Sequence, residues 1–181
     1  LEESVNRAYD LVTEKNPKLS EAARLEIAEK VGIAAVKYAD LSKNRTSDYV
    51  FDWSTMLSFE GNTAPYLMYA FARIKSILRK NRPDGTNNEI SLLPSPEERI
   101  LLIKILQFPE IVNTLAVDCY PNLLCNYLHE LAGLFMRFYE ACPILKAEEA
   151  TKNSRLALSN LTACTLNEGL DLLGIETLET M

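Results

Sequence analysis

Apolar residues recur every three or four positions along most of the chain, which is the period of an amphipathic α-helix. The alternation of apolar and polar residues that predicts a β-strand is not evident. The pattern predicts about eight helices, over residues 4–16, 21–41 with a break at Gly32, a short helix before Gly61, then 64–80, 96–107, 109–119, 121–141 and 148–173. The sequence therefore predicts an all-α helical bundle.

The helix boundaries carry familiar signals. Ser20 and Ser95 are placed to cap the helices that follow them, and Glu98 completes a capping box with Ser95. A polar loop is expected over residues 81–89, and Gly174 is a natural residue to follow the last helix.

The helix predicted over 64–80 presents a polar stripe beside its apolar one. Tyr66, Tyr69 and Arg73 lie three and four residues apart, and Lys75, Arg79 and Arg82 form a third stripe, which is basic. Residues 62–83 contain five basic residues and no acidic one, in a chain whose net charge is −6. Aromatic rings beside cationic groups suit stacking on unpaired bases and pairing with phosphates. The alternative is a solvated basic face with two tyrosines packed at its rim.

The remaining chemistry is sparse. Four cysteines without Cys-x-x-Cys spacing predict free thiols in a cytosolic protein, and a single histidine gives no metal site. His129 falls opposite the apolar stripe of its helix and is expected to be exposed, while Tyr139 lies at the edge of that stripe and could be a core tyrosine. The acidic balance argues against a non-specific nucleic-acid binder.

No catalytic residue can be nominated. The sequence contains no nucleophile elbow and no glycine-rich phosphate loop. Neither a signal peptide nor an apolar run of membrane-spanning length is apparent, so no membrane partner is expected. The chain begins with Leu1 and not with Met, which indicates a piece of a longer protein.

Four blocks together resemble one enzyme family, the arginyl-tRNA synthetases. They are VGIAAVKYADL at 31–41, NRTSDYVFD at 44–52, MLSFEGNTAPYLMYA at 56–70 and GLDLLGIET at 169–177. The resemblance implies that residues 1–61 are the helical tail of the catalytic region, on the inner side of the tRNA L. It implies that residues 62–181 are the all-α DALR anticodon-binding domain.

The resemblance also implies a reaction, and it shows which motifs of that reaction this chain lacks. Such enzymes join L-arginine to its tRNA with ATP and Mg²⁺, through a catalytic domain with His-Ile-Gly-His-like and Lys-Met-Ser-Lys-like motifs. Neither motif occurs in this chain, which by itself is expected to be inactive and to hold no cofactor. The implied partner is an arginine tRNA, in the cytoplasm, with no DNA partner.

The family's anticodon pocket carries over to named positions. The Tyr-Leu-x-Tyr motif falls on Tyr66 and Tyr69, with Met68 where the family often has Gln, and Tyr139 and the terminal Met181 complete the set that surrounds one flipped-out base. From the basic stripe itself, we expect Arg73, Lys75 and Arg79 to pair with loop phosphates.

Two questions stay open from the sequence. Asn44, Arg45 and Asp48 fit the family's Asn-Arg-x-x-Asp stretch on the stem side of the tRNA, but a hydrogen-bonded turn would also explain them, and Trp53 is expected to be a packing residue. The competing function is a helical protein–protein interaction module that uses the fold without RNA.

Overall fold

A computed structural model describes residues 1–81, 89–91 and 93–180 of the chain. The described residues form eight helices and no strand, as the sequence predicts. The helices are α1 (Glu2–Lys15), α2 (Glu21–Leu41), α3 (Trp53–Met56), α4 (Ala64–Asn81), α5 (Pro96–Leu106), α6 (Phe108–Asp118), α7 (Pro121–Ala141) and α8 (Glu149–Leu172). Most of the predicted loop, residues 82–88, lies outside the described residues.

The predicted helix boundaries are confirmed where a cap defines them. The Ser20 hydroxyl accepts a hydrogen bond from the Ala23 backbone N–H, and Ser95 forms the full capping box with Glu98. Gly174 follows α8 with a φ of 67°, a left-handed conformation that costs glycine little.

The predicted break at Gly32 is wrong, because α2 is continuous through it. Gly32 instead lies where α1 crosses α2. A Cβ atom at this position would come within 2.8 Å of the Ser4 carbonyl oxygen and of the Val5 backbone. Glycine therefore serves close packing of two backbones here, and it does not end a helix.

Helix α4 packs against α2, α7 and α8. Its predicted apolar stripe, with Leu67 and Ile74 fully buried, faces this core. Met68 is fully buried too, which leaves the polar stripe of α4 on the remaining side. The polar stripe is thus fixed in position by the burial of the opposite face.

Helices α5 and α6 form a more exposed edge. Taken as one stretch, Pro96–Asp118 is long and apolar enough to cross a bilayer by length and composition alone, which the sequence reading did not anticipate. However, α5 ends at Leu106 and α6 begins at Phe108. Helix α5 is also tied into the bundle by the buried ion pair of Glu98 with Arg155, whose N–O distance is 2.5 Å.

Candidate nucleic-acid interface

Two of the predicted pocket tyrosines meet through an arginine. Arg73 on α4 donates a hydrogen bond from Nη1 to the Tyr69 hydroxyl at 2.9 Å, and its Cζ lies 4.9 Å from the ring centroid of Tyr139 on α7. Tyr139 also stacks on Phe135, with the ring centroids 6.3 Å apart. The guanidinium plane lies over an aromatic ring. A flat base can stack on the guanidinium, or it can displace the guanidinium and stack on the ring.

Tyr69 is the most accessible member of this cluster, with 38% of its surface exposed. Phe59, in the segment that leads into α4, contacts the Tyr69 ring edge-on at 6.3 Å. The tyrosine is therefore held from two sides, by a ring and by a guanidinium, while part of it stays open to solvent.

Tyr66 lies one helical turn before Tyr69 and has a different neighbour. Its ring is 5.5 Å from the ring of His129 on α7, at an interplanar angle of 61°. The prediction that His129 is exposed is wrong, because the residue is half-buried and the Tyr66 ring of α4 packs against it. Its Nδ1 is buried and has no hydrogen-bond partner in the described part of the chain.

Burial also affects the protonation of this ring pair. The pKa of His129 is lowered because burial disfavours the imidazolium, an effect that the nearby Glu130 carboxylate partly offsets. Burial likewise raises the pKa of Tyr66. Near neutral pH both rings are therefore uncharged, which suits contacts with bases better than contacts with phosphates.

The basic residues of α4 differ in their surroundings. Lys75 pairs with Glu179 near the end of the chain, with a 2.8 Å distance between the ammonium and carboxylate groups. Arg79 is exposed, and it contributes less than Lys75 to the lowered pKa of the Glu179 carboxyl group. Arg73, by contrast, is already engaged with the tyrosines.

The final segment of the chain is anchored along α2 and α8. Lys37 donates to the Gly174 carbonyl at 2.6 Å, and Thr177 donates to Asn167 at 2.7 Å. Met181, the fourth predicted pocket residue, lies outside the described residues, as does Arg82 of the basic stripe.

The Asn44–Asp48 stretch is an exposed turn. The Asn44 side chain accepts hydrogen bonds from the backbone N–H and the hydroxyl of Thr46, at 3.1 and 2.9 Å. Arg45 lies over the Tyr120 ring at 4.8 Å, and Asp48 is exposed. Asn44 thus has the turn-forming role that the sequence left as an alternative, while the stem-side contact of the three residues stays a prediction. Trp53 packs on Phe51, as expected of a packing residue.

Sequence reasoning missed three polar residues near the tyrosines. Asn62 and Asn126 join the start of α4 to α7 through a 3.1 Å hydrogen bond between their amides, and Glu179 holds Lys75. The i, i+3 spacing of Asn126 and His129 puts both residues on one face of α7, but the contacts of that face with α4 depend on tertiary packing.

Other chemistry is limited in the described part of the chain. It holds no group of three or more His, Cys, Asp or Glu side chains that could bind a metal ion. All four cysteines are free thiols, and burial raises the pKa of Cys125 to about 12, which makes it a poor nucleophile.

Two family models match the chain. That of the DALR anticodon binding domain matches residues 67–181, and that of the class I (R) tRNA synthetase catalytic domain matches residues 1–53. The predicted domain boundary between residues 61 and 62 lies in the interval between the two matches and stays a prediction.

Relatives with established names match the entire chain. The arginine–tRNA ligases of Marinomonas sp. (strain MWYL1) and Colwellia psychrerythraea are 58% and 57% identical to it over its full length, which corresponds to 32% and 31% of theirs. The chain therefore spans about a third of the length of these relatives.

A solved structure agrees with these matches. Thermus thermophilus arginyl-tRNA synthetase superimposes with a TM-score of 0.91 at 36% identity, over 99% of this chain and 31% of that one. The matches favour an RNA-recognition module over the helical protein–protein interaction module. The chain belongs to the DALR anticodon binding domain family, in the form found in arginyl-tRNA synthetases, and corresponds to their C-terminal part.

Proposed function

We propose that this chain binds the anticodon loop of an arginine tRNA and encloses one of its bases between α4 and α7. The observation that carries the proposal is the convergence of Tyr69 and Tyr139, from two helices, on the Arg73 guanidinium. Unpaired RNA bases are held by such aromatic and guanidinium planes. In this proposal Tyr66 and Met181 complete the enclosure.

Positive charge beside the pocket would orient the loop. Arg73, Lys75 and Arg79 contact its phosphates, which fixes the register of the RNA without reading its sequence. Asn44, Arg45 and Asp48 face the stem on the inner side of the tRNA L. The net charge of −6 confines this attraction to a local surface, so affinity depends on the pocket as well as on charge.

The reaction belongs to the longer enzymes that this chain resembles. We infer that the whole protein ligates L-arginine to its tRNA with ATP and Mg²⁺ in the cytoplasm. Those small molecules would be bound by a catalytic domain of which residues 1–53 match only a part. The role of this chain is to hold the anticodon arm, and it takes no part in the chemical reaction. It has no DNA or membrane partner in this proposal.

A direct test is an anisotropy titration of this chain with an arginine tRNA transcript. A transcript altered only at the middle anticodon base serves as the comparison. We expect tighter binding of the unaltered transcript. Equal affinity for the two transcripts, or no binding of either, would contradict the proposal.

Matched tyrosine variants separate stacking from hydrogen bonding. Tyr69→Ala should weaken binding by about 1–3 kcal/mol, the contribution of one stacked base. Tyr69→Phe keeps the ring and loses only the hydroxyl that accepts from Arg73, so it should retain most of the affinity. If Phe and Ala weaken binding equally, stacking on this ring is not the basis of recognition.

A further inference from the structure

Helix α8 ends in a turn that leads the chain into its last described segment. The Gly174 N–H donates to the Asp171 carbonyl at 2.8 Å, and the Ile175 N–H donates to the Leu170 carbonyl at 2.9 Å, which together form a Schellman motif. We name the segment that follows, residues 174–180, the α8 strap. The orientation of the peptide at Gly174 sets the direction in which this strap leaves the helix.

Lys37 holds that peptide from another helix. Its ammonium group, on α2, donates to the Gly174 carbonyl at 2.6 Å. The last turn of α8 has no basic residue of its own. Lys37 therefore also supplies the positive charge that is favourable at the negative end of a helix dipole.

The start of the strap is separated from α2 by open space. A cavity of about 250 Å³ lies there, lined by α2 on one side and by residues 174–176 on the other. Lys30 of α2 also reaches across, but it is shared between Glu26 at 3.4 Å and Glu176 at 3.5 Å. The bond from Lys37 is the shorter contact, and it is the one that acts on the backbone of the strap.

The strap continues towards the proposed RNA surface. Glu179 pairs with Lys75 of the basic stripe at 2.8 Å, and Met181 follows two residues later. From Gly174 to Glu179 the chain can extend over about 17 Å at most. Burial of Leu178 holds the strap against the core. Burial is non-directional, however, so a directional polar contact at the start of the strap is what sets its course.

The contact also connects two parts of the chain that match different families. Helix α2 lies within residues 1–53, which match the catalytic domain model, and the strap lies within residues 67–181, which match the anticodon binding domain model. Lys37 therefore reaches from the first part to the second.

We propose that Lys37 is a positioning residue for anticodon recognition: it fixes the start of the α8 strap and thereby presents the far end, with Met181, to the anticodon pocket. The proposal rests on the function proposed above. It adds a residue that acts through the strap and from the part of the chain that matches the catalytic domain.

The test compares three variants with the parent chain. Lys37→Met removes the ammonium group and keeps an unbranched side chain, whereas Lys37→Arg keeps a cationic donor. Lys18→Met is the matched control, because this exposed lysine in the turn between α1 and α2 has no hydrogen bond or ion pair with the described strap residues. Since Lys37 is exposed too, all three variants should fold, and urea unfolding checks that they do.

Two quantities are measured. The first is the ratio of the affinities for an arginine tRNA transcript and for the same transcript altered at the middle anticodon base. The second is the hydrogen exchange rate of the Ile175 amide without RNA. Lys37→Met should reduce the ratio and accelerate the exchange by about 3- to 10-fold each, the range for one lost hydrogen bond. Lys37→Arg should retain most of both values, and Lys18→Met should change neither.

The outcomes separate this role from the proposed function. If the parent discriminates between the transcripts and Lys37→Met does so equally well, the contact is only structural, the positioning role is wrong and the anticodon pocket stands. The role is also wrong if Lys37→Arg loses as much as Lys37→Met, or if discrimination falls while Ile175 exchanges as in the parent. If the parent does not discriminate, the proposed function fails and the role of Lys37 fails with it.

Discussion

The ammonium group of Lys75 lies 2.8 Å from the Glu179 carboxylate, so a basic residue at the proposed RNA surface is neutralised by the protein's own final segment. Lys75 lowers the pKa of Glu179, mainly by its hydrogen bond, and the carboxylate therefore stays ionised at neutral pH. A loop phosphate that reached Lys75 would have to compete with this carboxylate.

We predict that Glu179→Gln tightens binding of arginine tRNA by about 2- to 5-fold, since an exposed ion pair contributes about 0–1 kcal/mol. Because Lys75 is then free to contact a phosphate, the slope of the logarithm of the binding constant against the logarithm of the salt concentration should steepen by about 0.7–0.9. This is the change expected for one more phosphate contact. Fluorescence anisotropy at several salt concentrations measures both quantities.

Glu176→Gln is the control for this prediction. It removes the same charge from the same segment, but its partner is Lys30 on α2, at 3.5 Å, and not a residue of the basic stripe. Its effect on binding should be the smaller one. Weaker binding by Glu179→Gln would mean that the ion pair serves to position the end of the chain and that Lys75 contacts no phosphate.

The sequence predicted correctly the features that depend on a single helix. The apolar stripe of α4, the capping box at Ser95 and the glycine after α8 all follow from local pattern, and the structure confirms them. Local pattern also identified Tyr66, Tyr69 and Arg73 as one surface of α4.

Relations between helices were not available from the pattern. The sequence predicts a break at Gly32, whereas the structure uses this glycine for close contact with α1. It predicts an exposed His129 because the helix of this residue buries the opposite side, whereas the Tyr66 ring of α4 packs against it. The identity of the tyrosine partners likewise depended on how α4 and α7 lie together.

The contact at Gly32 gives a stability prediction. Gly32→Ala should destabilise the fold by about 1–3 kcal/mol, because the new Cβ would meet backbone atoms of Ser4 and Val5 that cannot move independently. Gly133→Ala on α7 is the matched control, since its Cβ would meet nothing within 4 Å, and it should stabilise by about 0.5–1 kcal/mol. Urea unfolding measures both; a neutral Gly32→Ala would refute the tight crossing.

The buried ion pair of Glu98 and Arg155 gives a second stability prediction. Glu98 is fully buried, accepts from the Ser95 backbone N–H at 2.7 Å and pairs with Arg155 at 2.5 Å. Glu98→Gln keeps the shape but leaves the arginine charge without its counter-ion, so a loss of about 3–5 kcal/mol in the free energy of unfolding is expected. The neighbouring Glu97→Gln should change it by less than about 0.5 kcal/mol. Similar values for the two variants would show that the ion pair contributes little.

His129 gives a pH prediction, because it is the single histidine of the chain and its pKa is lowered from the ordinary 6.5 by burial, with a smaller opposing effect of Glu130. As the pH falls, the imidazole of the unfolded chain takes up a proton before that of the folded chain does, which favours unfolding. The contribution of neutral His129 to the free energy of unfolding is therefore complete above pH 7.5, and it declines as the pH falls through about 6.5 towards the lowered pKa of the folded state. Between pH 7.5 and 5.5 the parent chain should therefore lose more stability in urea unfolding than His129→Gln does.

An NMR titration of the lone imidazole provides an independent check. A folded-state pKa at or above 6.5, or equal losses in the two chains, would contradict the burial of this ring against Tyr66.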